Sequence, residues 1–172
     1  MPGYVIHIAI ATQYIKKHNN IKNEEEFIKG TIYPDSVSEK KLTHYGKSPA
    51  YTYLKGFLDN NNIDTDFNKG HFLHLIADYL FYNKYLNKLE KPQIYDDYDY
   101  LNRYLINKYD IKIPEEIKDK VFFKDGEPKL LSKELVEQII EEVSEIDFEK
   151  IIEEISNNTE KWNTYKKWIM FL

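Results

Sequence analysis

Gly70-His71-Phe72-Leu73-His74-Leu75-Ile76-Ala77-Asp78-Tyr79-Leu80-Phe81 sets two imidazoles and a carboxylate inside the most apolar run of the chain. Spacings of three and four residues put His71, His74 and Asp78 on one side of a helix, with His74 and Asp78 roughly 6 Å apart along its axis. That is chelating distance. Leu73, Ile76, Ala77, Leu80 and Phe81 cover the remaining directions, so this helix is apolar nearly all round and belongs at the centre of the fold. An ionised, unpaired Asp78 there would cost several kcal/mol and needs a cation. The single arginine is Arg103, and Lys69 and Lys84 fall beyond the ends of the stripe. A divalent metal is the simpler partner; the other reading of the same residues is a hydrogen-bonded network in a core helix.

Outward from that run, the pattern predicts a first helix from Tyr4 to Lys17, with His7 in its first turn beside the apolar face. His18 falls in a polar exit. Asn23 caps a short helix from Glu24 to Lys29 whose acidic first turn suits the positive end of the dipole. Pro34 biases Tyr33 away from helical geometry, so Asp35 is expected on a turn. Thr43-His44-Tyr45-Gly46 lies in the charged loop that follows. Ser48 and Pro49 start a helix running to about Asn60, and Asp66 caps the central helix, expected from Phe67 to about Leu89.

After Pro92 a helix with an acidic start, Asp96, Asp97 and Asp99, covers 95–105. Val121-Phe122-Phe123, the Asp125-Gly126 turn and Lys129-Leu130-Leu131 suggest one small β-hairpin near 121–131. Ser132, Asp147 and Thr159 cap helices expected over 133–144, 148–156 and 160–170. The fold class read from this pattern is all-α: a multi-helix bundle around the buried helix carrying His-x-x-His-x-x-x-Asp. Residues 1–172 form a single domain by length, with the site built mainly from the N-terminal half.

Composition narrows the chemistry. Charged residues make up 31% and aromatics 15%, as expected of a folded globular chain. A net charge of −5 without a basic cluster argues against duplex nucleic acid as a partner. The absence of cysteine removes disulfides, thiolate catalysis and thiolate zinc sites, so a metal must be held by His and carboxylates. No signal-type N-terminus and no run near ~18 apolar residues is seen, which reads as cytoplasmic with no transmembrane segment. The tail Lys161 to Leu172 mixes Lys with Trp; docking on the core is the expectation, peripheral membrane contact the alternative.

Four parts in order resemble the zinc-dependent phospholipase C family, whose helical fold also serves single-strand-specific nucleases. They are Ile6-His7-Ile8-Ala9-Ile10-Ala11, Phe27-Ile28-Lys29-Gly30-Thr31-Ile32-Tyr33-Pro34-Asp35, Thr43-His44-Tyr45, and His74 to Asp78. The likeness covers about the first half of the chain. It implies that Asp35, His44, His74 and Asp78 hold one metal and that His7 joins a second bridged by Asp78. The chain departs from the family downstream: Lys84 stands where a ligand His is expected, and no His follows His74. One or two zinc ions (Zn2+) are therefore expected, a full three-metal centre requiring Asn83 or Asp96, Asp97 and Asp99 as substitute ligands, and His71 orients a ligand or water.

These features lead to an expected metal-dependent hydrolase acting on a small phosphate ester, with Asp35 as ligand and water-orienting base. The alternative is a non-catalytic helical module built on a structural metal or the remnant of such a site.

Overall fold

Two glycines set the position of everything else. A Cβ on Gly30 would lie 1.9 Å from the Phe67 carbonyl oxygen, and one on Gly70 would lie 2.0 Å from that of Phe27. The helices bearing them therefore meet backbone to backbone, an approach that only a residue without a side chain permits.

The computed structural model describes residues 3–86, 94–157 and Trp162, and it is all-α. The helices are α1 (Tyr4–Lys17), α2 (Glu24–Ser36), α3 (Lys40–His44), α4 (Leu54–Asn60), α5 (Asp66–Leu80), α6 (Ile94–Tyr109), α7 (Lys133–Ser144) and α8 (Phe148–Asn157). Short 3-10 turns occupy Pro49–Tyr51 and Glu115–Lys120, and a π turn, Phe81–Tyr85, extends α5. No helix among these residues is long and apolar enough to cross a membrane.

The buried helix is where the sequence puts it. Every residue of α5 from Gly70 to Tyr79 is buried, and α1, α2 and α7 pack around it. Its cap is Thr65, which accepts the Asn68 amide, rather than Asp66. Asp66 instead accepts the amides of Lys22 and Asn23 at 2.9 and 2.6 Å, tying the start of α2 to the start of α5. The α-helical part ends at Leu80, short of the expected end near Leu89; residues 87–89 lie outside the described residues.

The expected end of α2 at Lys29 is corrected: the helix continues to Ser36, straight through Pro34, and places Asp35 in its last turn. Pro34 costs the helix one ladder bond, that to the Gly30 carbonyl, and only two helical residues follow it. The carbonyls left unpaired at the helix C-terminus find side-chain donors. Ser36 Oγ donates to Tyr33 at 2.8 Å, Thr43 Oγ1 to Pro34 at 3.0 Å, and the Tyr4 hydroxyl to Asp35 at 2.9 Å.

The predicted helix from Pro49 to Asn60 is broken at Thr52, because the Tyr53 amide donates to the His44 carbonyl at 3.1 Å instead of continuing the ladder. The predicted hairpin at 121–131 is likewise replaced, and no strand occurs among the described residues. Its backbone is held by α6: Asp97 accepts the amides of Lys129, Leu130 and Leu131 at 2.7, 2.7 and 2.9 Å. Asn102 Nδ2 donates to the Phe122 carbonyl at 2.9 Å, and the Lys124 amide to that of Asp99 at 3.0 Å. With its polar groups satisfied there, the segment has no need of a partner strand.

Helices α7 and α8 start and stop close to expectation and close the core with Val136, Ile139, Ile140, Val143, Phe148, Ile151 and Ile155. The third C-terminal helix expected at 160–170 lies outside the described residues apart from Trp162. That ring is buried 5.0 Å from Tyr79, and its Nε1 donates to Glu154 at 3.1 Å.

Candidate metal centre

Four elements deliver five side chains to one point. His7 comes from the first turn of α1, Asp35 from the last turn of α2, His44 from the end of α3, and His74 and Asp78 from one face of α5. The side chains of all five are at most 1% exposed. The glycine contact between α2 and α5 brings Asp35 within reach of His74. The left-handed Tyr45 (φ 55°) ends α3 just after His44 and lets the chain turn away.

Every imidazole approaches both carboxylates. His7 Nε2 lies 3.2 Å from Asp78 Oδ1 and 3.9 Å from Asp35 Oδ2. His44 Nε2 lies 3.1 Å from Asp78 Oδ2 and 3.6 Å from Asp35 Oδ1. His74 Nε2 lies 3.4 and 3.8 Å from Asp78 Oδ2 and Asp35 Oδ2. Ligands bonded at 2.0–2.2 Å to one tetrahedral ion stand roughly 3.3–3.6 Å from one another, so these separations have the scale of a coordination shell.

The hydrogen-bond pattern says what the shell lacks. His44 Nδ1 donates to the Lys40 carbonyl at 2.9 Å, and His74 Nδ1 to the Thr31 carbonyl at 2.7 Å. In the neutral imidazoles both Nε2 atoms then carry lone pairs, and they face each other at 3.2 Å. A backbone carbonyl on one ring nitrogen with the other aimed at a shared point is how a metal-ligating histidine is held. Both His7 nitrogens, Asp35 Oδ2 and both Asp78 oxygens are buried without a hydrogen-bond partner. Buried polar atoms are rarely left so, and here five are gathered in one place.

Electrostatics point the same way. Burial, together with the neighbouring His74, pushes His7 down to about 4. His74 is drawn up despite its burial, because Asp78 and Asp35 stabilise its charged form. Asp78 is held well below the usual carboxylate range; burial opposes its charge, but His74 and the facing imidazoles outweigh burial. A positive charge at this point is favoured whether a proton or a metal supplies it.

Among the described residues, two overlapping triads have metal-ligand spacing: His7, Asp35 and His74, and His44, His74 and Asp78. They share His74, whose Nδ1 is committed to Thr31. One lone pair cannot serve two ions, so an ion in either triad leaves the other with two protein ligands.

The remaining residues singled out from sequence are elsewhere. His71 Nε2 donates to the Thr43 carbonyl at 2.7 Å, and its ring packs among Tyr33, Tyr45 and Phe57. It steadies the segment that carries His44 without reaching the cluster. Asn83 donates to the Tyr79 carbonyl at 2.8 Å, and Asp97 is filled by three amides and belongs to neither triad. Both Asp97 oxygens are thus taken up by backbone amides, against the expectation of an extra ligand. Lys69, Lys84 and Arg103 pair with Asp66, Glu142 and Asp125.

Lys40 went unmarked in the sequence. Its Nζ lies 3.0 Å from Asp35 Oδ1, a pairing across a chain turn that no periodicity signals. A surface groove of about 650 Å3 between α1, α2 and residues 110–116 includes none of the five cluster residues. Comparison with protein-family models, curated proteins and solved structures gives no match.

Proposed function

We propose that the protein is a metal-dependent phosphoesterase, similar to the zinc-dependent phospholipase C family, with zinc held by His7, Asp35, His44, His74 and Asp78. The observation that supports this reading is the set of six imidazole–carboxylate approaches of 3.1–3.9 Å, which gathers the unpartnered nitrogens of His7, Asp35 Oδ2 and both Asp78 oxygens. The donor set, nitrogen and carboxylate oxygen without sulfur, suits zinc in a hydrolytic role. A bound divalent ion there supplies a Lewis acid that lowers the pKa of water toward about 7 and screens phosphoryl charge.

The chain's own groups do the rest. Thr31 and Lys40 carbonyls hold His74 and His44 with Nε2 turned inward, so no reorientation is needed at the moment of reaction. Asp35, with Oδ2 unpartnered, orients the attacking water and takes its proton. The water oxygen forms the new bond to phosphorus as the ester P–O bond breaks, and the departing alkoxide takes a proton from solvent.

One observation favours a second reading. The five side chains are sealed from solvent, and a closed shell is the mark of a structural rather than a catalytic metal. In that case the ion ties α1, α2, α3 and α5 together and no substrate is turned over.

The test is turnover of bis-p-nitrophenyl phosphate by zinc-reconstituted protein beside its His74→Ala variant. Zinc-dependent release of p-nitrophenol by the parent and none by the variant is expected. Zinc bound with no phosphoester cleaved leaves the structural reading, and equal turnover by both proteins removes the site from the chemistry.

A further inference from the structure

We propose that Lys40 is the anion-binding side chain of this centre, held on Asp35 until a divalent ion takes that carboxylate over. The inference rests on the phosphoesterase reading. Lys40 opens α3, and its carbonyl accepts the Nδ1 proton of His44 at 2.9 Å, which fixes its backbone beside a ligand. Its Nζ reaches Asp35 Oδ1 at 3.0 Å and the Asp35 carbonyl at 3.4 Å. The Asp35 side chain is fully covered, whereas that of Lys40 is 31% exposed. Lys40 thus spans the distance from the sealed cluster to water.

Charge determines what happens when the centre is loaded. Two carboxylates and one divalent ion sum to zero, which leaves the ammonium as an uncompensated positive charge at the edge of the site. Its attraction to Asp35 falls once a divalent ion shares that carboxylate. The four-carbon stem lets the ammonium swing outward while the backbone carbonyl stays on His44. Facing solvent beside a neutral centre, it is a point charge suited to a phosphoryl oxygen, and the ligand class it selects is a phosphate or anionic phosphate ester. The same swing takes the cover off Asp35, so a sealed cluster and a reactive one are two positions of a single side chain.

Zinc-loaded parent, Lys40→Met and Lys40→Arg proteins are titrated with inorganic phosphate by calorimetry, and the zinc content of each is measured. Equal zinc content, phosphate binding weakened about tenfold or more in Lys40→Met, and recovery in Lys40→Arg are expected, on the scale of one lost charge-assisted contact. Phosphate binding equal in all three overturns the proposal. So does zinc lost from Lys40→Met, since the Lys40 side chain would then be a support for Asp35 as a ligand. Should Lys40→Met not fold, Lys40→Gln replaces it in the same comparison. A parent protein that takes up no zinc defeats the phosphoesterase reading itself, which is a different result from zinc retained with unchanged phosphate binding.

Discussion

His44 Nε2 and His74 Nε2 face each other at 3.2 Å, and each ring has already given its Nδ1 proton to a backbone carbonyl. A proton shared between them or a cation beside them satisfies that pair, and both also face Asp78 Oδ2, itself without a hydrogen-bond partner. The arrangement favours a positive charge at this point, and a divalent ion would meet more of its unpartnered atoms than a proton does. Zinc at about a hundred times its dissociation constant should therefore raise stability by about 2.7 kcal/mol, or roughly 5–10 °C in melting temperature. His74→Ala and Asp78→Asn should show no zinc-dependent shift in a thermal melt.

The crossing of α2 and α5 makes a second prediction. Gly70→Ala drives a methyl into the Phe27 carbonyl region, where the closest atoms are backbone and cannot rotate aside. We expect a loss of about 2–4 kcal/mol in urea denaturation, at the upper end of overpacking effects. Because the crossing also sets the distance from Asp35 to His74, zinc affinity should fall with it. An equally stable Gly70→Ala protein would show that the helices do not meet this closely.

Asp97 gives a contrasting case. Asp97→Ala removes the acceptor of three amides, those of Lys129, Leu130 and Leu131, and should cost on the order of 3 kcal/mol. Zinc content per folded chain should stay that of the parent. A variant that folds but loses zinc would restore Asp97 as a ligand.

Acid should weaken the metal-free protein in a definite window. Burial pushes His71 down to about 4 from an ordinary 6.5. The unfolded chain therefore binds a proton between those values that the folded chain does not. Stability is full above 6.5 and is lost as pH falls toward 4, at about 1.4 kcal/mol per pH unit for each such histidine. His7, lowered to about 4, acts in the same direction. In chelator, His71→Phe should show a shallower loss between pH 6.5 and 4 than the parent, measured as urea midpoints across that range. Parallel pH profiles would contradict a buried neutral His71.

Much of this was legible from local pattern. The apolar run around His74 and Asp78 announces α5, and caps such as Asn23 and Ser132 mark helix starts that the structure keeps. His7, Asp35 and His44 were readable as a set only through their order along the chain, since nothing local states that three separate segments converge. What local reasoning misplaced was decided by tertiary partners. Pro34 stays helical because α2 lies on α5 through Gly30 and Gly70, and segment 121–131 declines to pair because Asp97 and Asn102 already satisfy it. Lys40 carries no signal in sequence, because its role arises from the bend between α2 and α3.

The central claim, that five buried side chains hold a divalent ion, is tested most directly by elemental analysis of protein prepared without chelator or nickel resin. The account predicts at least one equivalent of zinc or a similar ion per chain, absent from His44→Ala and His74→Ala proteins that still fold. A metal-free parent that also refuses added zinc would contradict it, and the cluster would then be a buried network neutralised by protons alone.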